Sequence, residues 1–168
     1  MLLYPRCTAR DWWGIIGRII HLGGMTITFI TSRHESHGTL DAYEVIVPPS
    51  VHIIVPHLHR HYDETVLGVD GITTWMVDGK TVHVGPGEQL FIPRGVSHGF
   101  ANQHEQGARM ICLLTPGLLG PEYFDELAQA MQAEGPTDYA ALGVIMMRYG
   151  IIPSTLERPT ALNPLLSH

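Results

Sequence analysis

Between Met25 and Leu114 the chain is a succession of short runs of β-branched and aromatic residues, at 25–32, 43–48, 52–59, 64–69, 72–77, 81–84, 89–92, 98–102 and 109–114. Strands this short and this many bury their apolar faces against one another as a sandwich or a barrel. Two connections are legible at once. Asp70-Gly71 and Asp78-Gly79 each separate β-type runs by two residues, and such pairs favour a tight hairpin because both positions tolerate positive φ. The segment 64–84 therefore reads as a three-stranded meander. In that register Val69 pairs with Ile72 and Trp75 stands opposite Val66, so Val66, Trp75 and Val77 face the interior together with Glu64, followed by Val82 and Val84.

After Pro116 the periodicity changes. Pro121 opens a segment in which Tyr123, Phe124, Leu127 and Met131 recur at helical spacing until Gly135. A second helix is expected from Asp138 to Tyr149, with Leu142, Ile145, Met146 and Tyr149 on one stripe and Gly150 as the stop. Both stripes read as packing surfaces against the barrel or a partner chain. The organisation is an N-terminal extension over 1–23, a β-barrel over 24–116, a helical segment over 117–150 and an irregular tail over 151–168.

Among the 168 residues only 10 are Lys or Arg, and the formal charge is -6. That balance disfavours binding to nucleic acid or to an anionic membrane and points to small-molecule partners or a second copy of the chain. Cys7 and Cys112 are too few for a disulfide framework, which suits a cytoplasmic location. Arg6, Arg10, Asp11 and Arg18 interrupt the apolar N-terminus, so neither a secretion signal nor a membrane span is expected. The apolar residues Trp12, Trp13, Ile15, Ile16, Ile19 and Ile20 need cover, and a homodimer is the expected means.

His57 and His59 lie two apart on one such run, so both imidazoles point to one face and can reach one ion. Taken alone, the pair reads as surface or hydrogen-bonded histidines sooner than as ligands. Glu64 falls on the opposite parity, so residues 60–63 must turn or bulge if its carboxylate is to join them. His61 continues the parity but falls in that turn, and it is expected to be exposed or to support a ligand. His83 is expected on the outer face.

These residues resemble the two motifs of the cupin superfamily. His57, His59, Glu64 and Gly71 match the first, with Val51 in place of its leading glycine; Gly87, Pro93, Gly95, His98 and Asn102 complete the second. The resemblance implies an all-β cupin (jelly-roll) barrel with two C-terminal α-helices appended. It also implies that His57, His59, Glu64 and His98 hold one divalent transition metal per chain, which the ligand set leaves open as Fe, Mn, Ni, Co, Cu or Zn.

The single barrel with trailing helices is similar to quercetinase-like cupins. That implies a metal-dependent dioxygenase acting on a flavonol-like or otherwise enolisable oxygenated molecule, with Glu64 as proton acceptor. Val66, Trp75 and Phe100 are the candidate pocket residues, with ordinary core packing as their other reading. Two alternatives come from other classes: a non-redox metal-dependent isomerase, cyclase, lyase or decarboxylase, and a non-catalytic small-molecule-binding barrel. Phosphosugar and oxalate chemistry are disfavoured, since the motif region offers only Arg60, Lys80, Arg94 and Arg109 as cations.

Overall fold

The computed structural model describes residues 17–132 and 137–154, and only the backbone of residues 52–54. Eleven strands form two antiparallel sheets that face one another. One sheet has six strands in the order β1 (Ile19–Leu22), β2 (Met25–Thr31), β3 (Asp41–Val47), β10 (Ala108–Thr115), β5 (Asp63–Asp70) and β8 (Gln89–Ile92). The other has five, in the order β11 (Ile151–Pro153), β4 (His52–His59), β9 (His98–Ala101), β6 (Thr73–Val77) and β7 (Lys80–Val84). Alternation along the strands sends Ile27, Val45, Val47, Val66, Met110, Cys112 and Leu114 from the first sheet and Trp75 and Val84 from the second into a common core. This is the expected all-β jelly roll.

One hairpin forms as expected and the other does not. Across Asp78-Gly79, with φ of +47° and +74°, Val77 pairs with Lys80 and Thr73 with Val84. At Asp70-Gly71 only Gly71 takes positive φ, +64°, and Asp70 stays in the strand. The chain there leaves the six-stranded sheet for the other one, and no 64–84 meander exists. Val66 stands opposite Leu90 and Cys112, and Trp75 opposite Val82 and Phe100, so the expected Val66–Trp75 pairing is corrected. The reason lies at Gly71, where a Cβ would come within 2.3 Å of the Gly107 carbonyl oxygen. The glycine serves a close backbone crossing as well as a turn.

Two strands lie in segments with other readings. β1 falls within residues 1–23 and pairs with β2, and β11 falls in the tail taken as irregular and pairs with β4. Of the residues behind the dimer expectation, Trp12, Trp13, Ile15 and Ile16 lie outside the described residues, as does Cys7. The helices form close to where the periodicity puts them, as α1 (Gly120–Gln132) and α2 (Tyr139–Arg148). Asp138 caps α2 by accepting from the amides of Ala140 and Ala141, each at 3.0 Å. The start of α1 is tied to the barrel by Asp41, fully buried, whose carboxylate accepts from the amides of Leu119 (2.9 Å), Gly120 (3.2 Å) and Arg33 (2.6 Å).

Candidate metal centre and its cavity

The histidines come from adjacent strands and the carboxylate from the facing sheet. His57 of β4 is the direct register partner of His98 of β9, and His59 is two residues further along β4. Between His59 and Asp63 the chain crosses to the six-stranded sheet, which is why Glu64 falls on the opposite parity and still faces the histidines. The crossing is held by two backbone bonds, from the Arg60 amide to the Gly150 carbonyl and from the Gly95 amide to the His59 carbonyl, each 2.8 Å. The last motif residue has a different task. Asn102, fully buried, directs its amide at the carbonyls of Val47, Pro48 and Gln106 and so pins the loops around β9. At the position of the missing glycine the loop takes its positive φ, +58°, one residue earlier, at Ser50.

The three imidazoles place one ring nitrogen each within 4.8 Å of one another. His98 Nε2 lies 3.2 Å and His59 Nδ1 3.9 Å from Glu64 Oε2. His57 Nδ1 donates to the Val55 carbonyl at 2.8 Å, and His98 Nδ1 to the Val96 carbonyl at 2.9 Å. Each bond leaves Nε2 as the free nitrogen. His98 Nε2 is close to Glu64 but not aligned with it, and among the described residues it is a buried nitrogen without a partner of hydrogen-bonding geometry. Lone pairs converging at this separation, three from imidazole and one from carboxylate, suit a cation better than they suit each other. The residues present therefore fit the divalent metal that the motif implies.

Protonation follows from burial. Loss of hydration, reinforced for His57 by the charge of His98, lowers His57 to about 4; burial lowers His59 to about 3 against the opposing pull of Glu64. Burial pushes Glu64 up, but its contact with His98 and the nearby imidazoles outweigh this and hold it at about 2. For His98 burial acts downward and is overcome by the same carboxylate, so its pKa is raised. At neutral pH the cluster holds an ionised Glu64 and deprotonated His57 and His59, while the carboxylate favours the proton on His98 that an incoming metal ion would displace.

The cluster opens into a cavity of about 270 Å³ between the sheets and under the helices. Trp75 and Phe100 line it, with ring centroids 4.9 Å apart. Val66 does not. It is fully buried in the core behind the cavity, which corrects its assignment as a pocket residue. His61 is exposed and packs beside Gly150, and His83 is exposed with Nδ1 3.2 Å from the Thr74 hydroxyl; neither reaches the cavity. Sequence reading missed the rest of the wall, formed by Tyr43 and Cys112 of the barrel and by Tyr123, Phe124, Leu127 and Met146 of the helices. The helical stripes were visible as apolar, but periodicity cannot distinguish a face that seals a cavity from one that fills a core.

A family model described as "Cupin domain" matches residues 43–114, the stretch that contributes all four cluster residues. That stretch is a cupin domain. Quercetin 2,3-dioxygenase of Bacillus subtilis is 31% identical to this cupin over 68 residues, which is 40% of the present chain and 20% of that protein's length. A structure described as a predicted oxalate decarboxylase from Thermotoga maritima superposes with a TM-score of 0.52 at 19% identity, covering 61% of this chain and 93% of that one. An RmlC-like cupin from Shewanella frigidimarina gives 0.52 at 19%, covering 67% and 92%. At such identity these structures speak to the fold alone. Among the described residues no helix of this cupin is long and apolar enough to cross a membrane.

Proposed function

We propose that this cupin is a metal-dependent dioxygenase acting on a neutral, enolisable or flavonol-like oxygenated aromatic molecule. The observation that carries the reading is the make-up of the cavity wall. Three imidazoles and one carboxylate sit among apolar and aromatic side chains, and no lysine or arginine lines the cavity among the described residues. The cations of the motif region are turned outward: Arg94 is half exposed and paired with Asp63, Arg109 is half exposed beside Glu44, and Arg60 and Lys80 are exposed. The ion would match one negative group, but any further anionic group of a substrate would enter with no protein counter-charge, at a desolvation cost of several kcal/mol. A neutral aromatic avoids that cost.

His57, His59, Glu64 and His98 would hold the ion. When bound, a divalent transition metal polarises a substrate oxygen and leaves open positions for substrate and dioxygen. The chain's own groups do the rest. Glu64 is the sole carboxylate lining the cavity among the described residues, and its Oε2 is the group that takes the proton of the enolic hydroxyl once the hydroxyl has been acidified. Trp75 and Phe100 present ring faces against which a flat substrate stacks. The helices over the cavity keep bulk water from the reacting carbon.

Dioxygen uptake with protein reconstituted with Fe, Ni, Co or Mn, on a panel of flavonols, tests the proposal. Uptake with at least one metal is expected, and none with any metal overturns it. Equal turnover without air would assign the site instead to non-redox isomerase, cyclase, lyase or decarboxylase chemistry. The same reading includes a homodimer, supported by exposed Ile19, Ile30 and Ile46 on the six-stranded sheet, and a cytoplasmic setting, supported by the free thiol of Cys112. Sedimentation velocity tests the first.

A further inference from the structure

Five tyrosines line the cavity or pack beside it, and among the described residues Tyr123 alone joins a buried place on the helical cover to a hydroxyl without a protein partner, Tyr43 lying on the barrel and Tyr139 being half-buried. The Tyr62 hydroxyl donates to the Tyr149 carbonyl at 3.4 Å, and the Tyr149 hydroxyl to Glu126 Oε1 at 2.7 Å. Tyr43 faces its register partner Cys112, another cavity residue. Tyr123 is 7% exposed, lines the cavity, and among the described residues its hydroxyl has no hydrogen-bond partner. Its ring is held edge-on between Phe124, at 5.0 Å, and Tyr149, at 5.4 Å, so its direction is fixed by packing. A hydroxyl that lacks a protein partner and borders a cavity is satisfied by what enters it.

Tyr123 belongs to α1, outside the matched stretch 43–114. It thus adds to the site something that the two barrel motifs do not supply. Burial and the charge of Glu64 both hold its phenol protonated, so at neutral pH it is available as a donor. Position and chemistry together make it a recognition group.

We propose that Tyr123 is a substrate-positioning and specificity-determining residue, whose hydroxyl bonds a second oxygen of a neutral aromatic ligand while the first lies at the His57–His59–Glu64–His98 cluster. The inference rests on the substrate class proposed above. It goes further in requiring two oxygens on the ligand, one at each end, with apolar area between them. A ligand lacking the second oxygen leaves the Tyr123 hydroxyl unpaired and binds less tightly.

The test uses full-length protein loaded with Zn, with binding of quercetin and of 3-hydroxyflavone, which lacks the additional ring hydroxyls, measured by calorimetry. Wild type is expected to prefer quercetin by about fivefold to tenfold, the worth of one buried hydrogen bond. Tyr123→Phe keeps the ring and should abolish that preference with metal content and Tm unchanged. Tyr149→Phe, whose hydroxyl is already partnered, should retain it. An unchanged preference in Tyr123→Phe overturns the inference, and so does an equal loss in Tyr149→Phe, which would trace the effect to packing. If neither flavonol binds wild type, the substrate reading and the inference fall together. Preferential binding without dioxygen uptake by any reconstituted form would remove the dioxygenase reading and leave the role of Tyr123 standing.

Discussion

His57 and His98 face each other across β4 and β9 in matching poses, each with Nδ1 tied to the carbonyl two residues before it, Val55 and Val96. The two imidazoles are aimed by backbone, and side-chain exchange elsewhere cannot easily re-aim them. His57→Ala, His59→Ala and His98→Ala are each expected to lower metal affinity at least tenfold, while His61→Ala leaves it within about twofold. Elemental analysis after dialysis against a weak chelator decides this. Equal metal loss in His61→Ala and His98→Ala would refute the ligand set.

Glu64→Gln keeps shape and removes both charge and proton affinity. Dioxygen uptake on a responsive flavonol is expected to fall by about 100-fold or more, measured on variant protein matched for metal content. Retention of wild-type turnover would exclude the carboxylate as proton acceptor.

Without metal, stability should decline on acidification, and the sign follows from the shifted groups. His57 and His59 titrate near 4 and 3 in the fold and near 6.5 when unfolded, so below pH 6.5 the unfolded chain binds more protons and gains on the native state. Glu64, depressed from 4.5 to about 2, contributes stability that is present above 4.5 and lost as pH falls toward 2. His98, raised, works in the opposite direction, contributing below 6.5 and losing its contribution as pH rises through its folded value. The His98 contribution is already nearly complete at pH 6.5, so His57 and His59 set the trend and give a net loss on the order of a few kcal/mol from pH 6.5 to 4. Urea midpoints of metal-free protein across that range measure it, and a flat profile would contradict the burial of these rings.

Asp41→Ala should destabilise the fold by about 3 kcal/mol, because the Leu119, Gly120 and Arg33 amides lose their acceptor together in a buried place. Chemical denaturation gives the number. A cost under about 0.5 kcal/mol would mean that water replaces the carboxylate without difficulty.

The sequence was most readable where one residue type answers one local demand. His57, His59 and His98 occupy strand positions whose parity alone sets their direction, and Asp78-Gly79 meets the positive φ of both central hairpin residues. Asp70-Gly71 looks the same on paper but answers a demand made by Gly107, 36 positions along the chain, which no local pattern contains. Val66 faces inward, as its parity with Glu64 requires, but Leu90 and Cys112 stand opposite it instead of Trp75. Tyr123 stayed hidden for a different reason: its neighbours on α1 are equally apolar, and what distinguishes it is a missing hydrogen bond, visible only after the chain has folded.

The short strand β11 pairs Ile151, Ile152 and Pro153 with His59, Leu58 and His57. The helical cover is therefore fastened at both ends, by Asp41 where α1 starts and by the histidine strand itself where α2 has ended. Anything that shifts α2 pulls directly on the strand carrying two of the four cluster residues. The occupancy of the cavity roof and the aim of the imidazoles at its floor are thus mechanically one variable, joined by three residues of backbone.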